Sequence, residues 1–145
     1  MEINNRKAKY DFEIEQTIEC GIVLTGTEIK SIREGKVNLK DSYAIIKHNE
    51  VFLLNTHISH YEQGNIFNHD ETRSRKLLLH KKEILKIRDQ LTQQGFTLIP
   101  IKMYFKKNKV KVLLGIAKGK KNYDKRESIK KKDIERDIKK ELKNF

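Results

Sequence analysis

Five histidines, at positions 48, 57, 60, 69 and 80, are the residues of this 145-residue chain best suited to acid–base or metal chemistry, and His57-x-x-His60 is their only close pair. A zinc site needs three or four ligands on one scaffold, and Cys20 is the only thiol, so the pattern predicts surface or hydrogen-bonded histidines and no metal. A lone cysteine excludes an internal disulfide and reads as a small buried apolar residue. Asp11, Glu13 and Glu15 have a spacing that magnesium ligands of a nuclease can have, but it is also the spacing of a solvated strand face. No serine stands in a nucleophile elbow, and no Gly-rich loop has a phosphate-cradling pattern. The expectation is a binding protein without a cofactor, not an enzyme.

The binding chemistry is cationic. Lys and Arg number 32 against 20 Asp and Glu, a formal charge of +12 that exceeds what solubility asks of a small domain and points to a polyanionic partner. Apolar runs such as Val51 to Leu54 are far too short to span a bilayer, which predicts no membrane insertion. The first ten residues have no apolar stretch behind Arg6 and Lys7, so no secretory signal is predicted and the expected address is cytoplasmic. Two segments can carry phosphate contacts. In Thr72-Arg-Ser-Arg-Lys-Leu-Leu-Leu79, the cations Arg73, Arg75 and Lys76 precede leucines that need burial, so anchored backbone would hold charge in a fixed place. In Lys118-Gly-Lys-Lys121 and the residues to Arg126, Tyr123 stands among cations, a pairing that grips phosphate and stacks on a base.

Positioning these residues requires a scaffold, and the periodicities outline one. Tyr10 to Leu24 alternates as a strand, Thr25-x-x-Glu28 has capping-box spacing, and a short helix is expected over Gly26 to Glu34 with Gly35 as its stop. Ser42 to Ile46 and Val51 to Ile58 read as a hairpin, and Ser59 to Arg75 as a long loop. Ile84, Ile87 and Leu91 mark a second helix from about Lys81, ended by Gly95. Phe96 to Phe105 and Val110 to Ala117 form a last hairpin, with Pro100 at an edge or bulge. The fold class expected is mainly β with α: a small antiparallel oligonucleotide-binding-like β-barrel over residues 1–117, with flanking helices.

From Lys118 onward the composition shifts to twelve Lys and Arg against six Asp and Glu in 28 residues. One narrow stripe of Ile134, Ile138 and Leu142 cannot offset an ordering entropy of about 1 to 2 kcal/mol per residue. Residues 118–145 are therefore expected to be a tail, disordered when free and able to fold against RNA phosphates.

Asn5-Arg-Lys-Ala8, Gly26-Thr-Glu-Ile-Lys-Ser-Ile-Arg33, Asp41-Ser-Tyr43, Thr72 to Leu79, and Gly115-Ile-Ala-Lys-Gly-Lys-Lys121 with Asp124-Lys-Arg126 closely resemble the SsrA-binding protein family. Five such motifs in order, nearly end to end, make the resemblance specific. It implies a barrel that binds the tRNA-like domain of transfer-messenger RNA and delivers it, with elongation factor Tu and GTP, to stalled ribosomes in trans-translation. It also implies that the tail enters the vacant messenger channel as a helix near the decoding centre.

Residue by residue, the resemblance carries RNA contact to Glu19, Leu78 and Lys111, with Asn5, Arg6, Tyr10 and Tyr43 near the same surface. Lys111 faces away from the Val110, Val112, Leu114 and Ile116 stripe, so its cation can reach phosphate. Glu19 can accept hydrogen bonds from base amino groups, while for Leu78 packing is what the residue type itself favours. The resemblance assigns Lys118, Gly119, Lys120, Lys121, Tyr123, Asp124, Lys125, Arg126, Ile134, Ile138 and Leu142 to the decoding centre and channel. The family often has His at the positions of Tyr10 and Tyr123, and an aromatic at that of Ile134. Charge and the lack of an apolar patch predict a monomer; composition alone leaves open a ribosomal or ribosome-assembly protein.

Overall fold

The structure, a computed structural model, describes residues 2–92 and 95–119. Its longest strands are those with the clearest alternation. β9 (Lys109–Gly119, as numbered in chain order) turns Val110, Val112, Leu114 and Ile116 inward, and all four are buried. One of its edges pairs antiparallel with β2 (Phe12–Ile22), which carries a bulge between Ile14 and Gln16. The other edge pairs with β8 (Phe96–Lys106), whose register shifts between Pro100 and Lys102, where proline has no amide to give the ladder. The hairpin joining β8 to β9 turns at Lys107 and Asn108, both at positive φ, the geometry that two-residue hairpins favour.

A closed ring arises from three shorter strands. β4 (Tyr43–Lys47) pairs with β8 through Ala44 and Leu98, and with β5 (Glu50–Leu54) across a turn at His48 and Asn49. β5 pairs with β7 (Arg75–Leu78), and β7 returns to β2, so six strands run β2–β9–β8–β4–β5–β7 and back. β1 (Glu2–Asn4) adds to β8 beside β4, and β3 (Val37–Asn38) pairs apart from the ring with β6 (His57–Ile58). The core holds Leu53, Leu77, Leu98, Met103, Val112 and Leu114, among others.

Three α-helices among the described residues complete it. α1 (Arg6–Asp11) begins at Asn5, whose side chain accepts from the Ala8 amide. Ala8 seats on Ile99 and Ala117, residues that alternate away from the core onto the sheet's outer face. α2 (Gly26–Arg33) has both bonds of the Thr25–Glu28 capping box, and Gly35 stands just past its end at φ +74. α3 (Lys81–Leu91) sends Ile84 and Ile87 into the ring's core. No helix among the described residues is long and apolar enough to cross a membrane.

Several expectations need adjusting. Tyr10 and Asp11 end a helix and do not begin the strand, because a six-residue helix is too short to show a period. Val51 to Ile58 divides at Asn55, which has φ +62, and the second piece pairs elsewhere. The expected loop to Arg75 contains a 3₁₀ turn over Glu62–Phe67, and Arg75 itself opens β7. β9 runs through Lys118 and Gly119, which pair with Glu13 and Phe12, two residues farther than the expected end of the sheet.

Candidate nucleic-acid interface

Cross-strand partners point to the same side of a sheet, so registers define the outer face of β8, β9, β2 and β7 directly. Tyr104 opposes Lys111, Lys111 opposes Gly21, and Gly21 opposes Leu78, giving one row across four strands. The neighbouring row holds Lys102, Leu113 and Glu19. Glu19, Leu78 and Lys111, together with Lys76, line one open groove of about 660 Å³ between this face and α3. Residues far apart in sequence, grouped by the resemblance, thus share one surface.

Each contributes differently. Lys111 makes no ion pair among the described residues, so its ammonium is available to phosphate. Leu78 is 51% exposed, which overturns the packing role its residue type favours: Leu77 takes the inward position and Leu78 the outward one. Gly21 stands opposite both Leu78 and Lys111, and a Cβ there would meet Leu78 at 3.4 Å, ordinary contact distance. Glu19 accepts from the Tyr104 hydroxyl and, at 3.2 Å, from Lys106 Nζ. Those bonds, Tyr104's first, hold its carboxyl below the usual range, while burial and then Glu19 push the Tyr104 phenol up to about 12. At neutral pH the pair is a carboxylate and a protonated donor.

Other residues lie elsewhere. Arg6 and Tyr10 ride on α1, and Lys7 of α1 bonds Asp41 at 2.9 Å, which ties the turn before Tyr43's strand to that helix. The end of α1 joins β2 at Phe12, roughly 23 Å from Glu19 along that strand at the usual strand rise. Lys118 and Gly119 are exposed at the end of β9, with Lys118 Nζ 4.6 Å from the Phe96 ring centre. Lys120, Lys121, Tyr123, Asp124, Lys125, Arg126, Ile134, Ile138 and Leu142 lie outside the described residues.

Three expected contact residues are engaged in internal bonds, Arg75 and Asn5 from buried positions and Arg73 from a partly exposed one. Arg75 has no exposed surface: its Nε donates to Glu28 at 2.5 Å and its terminal nitrogens to the Thr56, Asp70 and Glu71 carbonyls. Arg73 turns toward the same carboxylate, at 2.6 Å, and toward Val23 O. Asn5 is buried, its amide donating to Leu39 O and Pro100 O. Strand alternation explains the first: in Arg-Lys-Leu-Leu, Arg75 and Leu77 face in while Lys76 and Leu78 face out. Burial alone would raise the Glu28 carboxyl, but bonds from Arg73, the Thr25 amide and Arg75 pull it below its ordinary value. The buried Glu28 carboxylate thus braces one fully buried arginine and one partly exposed one.

The sequence reading missed Tyr104, Lys102 and Gly21. Met103 faces inward, so alternation marks Tyr104 and Lys102 as outward, but nothing in the sequence shows that β9 lays Tyr104 within reach of Glu19. Cys20 is buried, its thiol donating to Val112 O and pushed by burial up to about 12, so it is inert packing. His69 is buried between Thr27 Oγ1 and Ile58 O, both at 2.8 Å, a structural role.

A family model described as SmpB protein matches residues 2–144 of the chain. SsrA-binding proteins of Staphylococcus aureus strains Newman and COL are each 58% identical over 139 residues, covering 96% of the chain and 90% of the relative. A solved chain described as "tmRNA-SmpB: a journey to the center of the bacterial ribosome" superposes with TM-score 0.71 at 47% identity, covering 83% of this chain and 85% of that one.

Proposed function

The chain belongs to the SmpB protein family, and from that premise we propose that it is an RNA-binding adaptor of trans-translation, holding transfer-messenger RNA and bringing it to stalled ribosomes. The observation that carries this reading for the residues themselves is the outer-face row of Tyr104, Lys111, Gly21 and Leu78, with Glu19 beside it. Lys111 supplies a phosphate contact, Glu19 an acceptor for base amino groups, and Leu78 an apolar surface for a base or ribose. Lys76, two residues before Leu78 on β7, lines the same groove and pairs with Glu50 at 3.4 Å. Arg6 and Tyr10 of α1, with Tyr43 at the start of β4, form a second contact patch.

Finer parts of the role belong to the same proposal. The chain works in the cytoplasm as a monomer, elongation factor Tu with GTP accompanies the delivered RNA, and residues 118–145 enter the messenger channel. There Tyr123 and the cations from Lys120 to Arg126 meet the decoding centre, and the Ile134, Ile138 and Leu142 stripe faces the channel or the tail itself. The chain contributes binding and placement, not catalysis.

The test is to purify the full chain from cells with its bound RNA and sequence the RNA. Enrichment of transfer-messenger RNA over ribosomal fragments is expected. Equal recovery of bulk ribosomal RNA would favour a ribosomal or assembly protein instead.

A further inference from the structure

Glu19 stands on an open face, and a glutamate there has three free torsions whose ordering would weigh against any ligand it recognises. Two groups fix it. Lys106 reaches one oxygen, Oε1, but both side chains of that pair are solvent-exposed and Lys106 is itself flexible, so this contact holds weakly. Tyr104 reaches the other oxygen, Oε2, from β8 across the whole width of β9, because Glu19 and Tyr104 sit on the two strands that flank β9. Two strand spacings are roughly 10 Å, which the two side chains together just span. The tyrosine has only two torsions, its ring lies along the sheet, and Lys102 Nζ covers it at 5.3 Å while also bonding Glu2 at 3.1 Å. It is the stiff anchor of the two.

We infer that Tyr104 is a positioning residue for recognition on this face: its hydroxyl holds the Glu19 carboxylate in one orientation, with free lone pairs aimed at the groove for base amino groups. Each carboxylate oxygen accepts more than one hydrogen bond, so the bonds from Tyr104 and Lys106 leave acceptor capacity on both. A base edge that offers an exocyclic amino group then meets a carboxylate already in place. Tyr104 acts through Glu19 and needs no contact with RNA. The inference rests on the proposed RNA-binding role.

The experiment measures binding of the full chain to the isolated tRNA-like domain of transfer-messenger RNA over a series of salt concentrations, for wild type, Tyr104→Phe, Glu19→Ala and the double variant. Phenylalanine keeps the ring and its contact with Lys102, so the melting temperature should stay near that of wild type. Tyr104→Phe is expected to weaken binding roughly threefold to tenfold, the range for one freed side chain. It removes no cation, so the slope of affinity against salt should not change. In the Glu19→Ala background, Tyr104→Phe should have no further effect, because the group it holds is gone. Full affinity in Tyr104→Phe, or a loss that simply adds to that of Glu19→Ala, overturns the inference while leaving the adaptor role in place. Failure of wild type to bind this RNA in preference to ribosomal fragments overturns the adaptor role and the inference together.

Discussion

Two cations three dozen residues apart, Lys111 and Arg75, have opposite fates for the same reason: the period of two along a strand. Lys111 alternates with four inward apolar residues and emerges on the outer face, which is legible in the sequence because Val110, Val112, Leu114 and Ile116 declare the inside. Replacing Lys111 with alanine should weaken binding to transfer-messenger RNA and lower the magnitude of the salt slope by roughly 0.7 to 0.9, the share of a single phosphate, as titrations at several salt concentrations would read. Arg75 was not legible, since its neighbours Lys76, Leu77 and Leu78 do not alternate in polarity, and its partner Glu28 lies in another element. Glu28→Gln leaves Arg75 buried and uncompensated, so chemical denaturation should show a loss of about 3 to 5 kcal/mol. The same carboxyl has a pH signature. Its folded-state pKa lies below the ordinary 4.5, so its stabilisation is fully present above that value and is lost as pH falls through the lowered one. Melting of wild type from neutral to acid pH should include this loss, and Glu28→Gln should lack it.

Elements were legible in proportion to their length. β2, β8 and β9 each run 11 residues, long enough for alternation to register, and α3 shows its Ile84, Ile87 and Leu91 face. β1, β3 and β6 have two or three residues each, too few for any period, and tertiary pairing alone makes them strands. α1 is also short, and its seat on the sheet depends on a residue far away in sequence. At Gly115 an added Cβ would stand 2.6 Å from Ile101 Cδ1 and 3.4 Å from Ile14 Cγ2, so a side chain there must displace Ile101 beside Ile14, which packs with Ala8 of α1. Gly115→Val should therefore cost about 1 to 3 kcal/mol. Because the crowding reaches α1 through Ile14, hydrogen exchange should quicken over Arg6–Asp11 and remain slow in α3; equal loosening of both helices would disprove a local seat. If α1 carries the second RNA patch, the variant should also weaken RNA binding without changing Lys111's share of the salt slope.

For the molecule as a whole, closure of the ring keeps β9 paired on both edges, as far as Lys118 with β8 and Gly119 with β2. β9 pairs with strands on both edges, and that pairing continues to Gly119 opposite Phe12, with Lys118 opposite both Glu13 and Phe96. The sequence signal for the boundary was the change in composition, which begins at Lys118, a residue that is still paired on both edges, because charge content does not report strand pairing. A cut after Ala117 would remove two paired residues from the closing strand, whereas a cut after Gly119 keeps every pair of the described strand. The chain truncated after Gly119 should melt close to the full-length temperature and keep the outer-face row intact. It loses eleven Lys and Arg against six Asp and Glu, so it stays cationic and should still bind the tRNA-like domain of transfer-messenger RNA. If residues 120–145 serve the ribosome and the closed sheet serves the RNA, this variant should bind yet fail to support peptide tagging on stalled ribosomes in a reconstituted translation assay. Tagging at the full-length rate would show that the closed sheet suffices for both tasks, and loss of RNA binding would show that the two tasks do not divide at the end of β9.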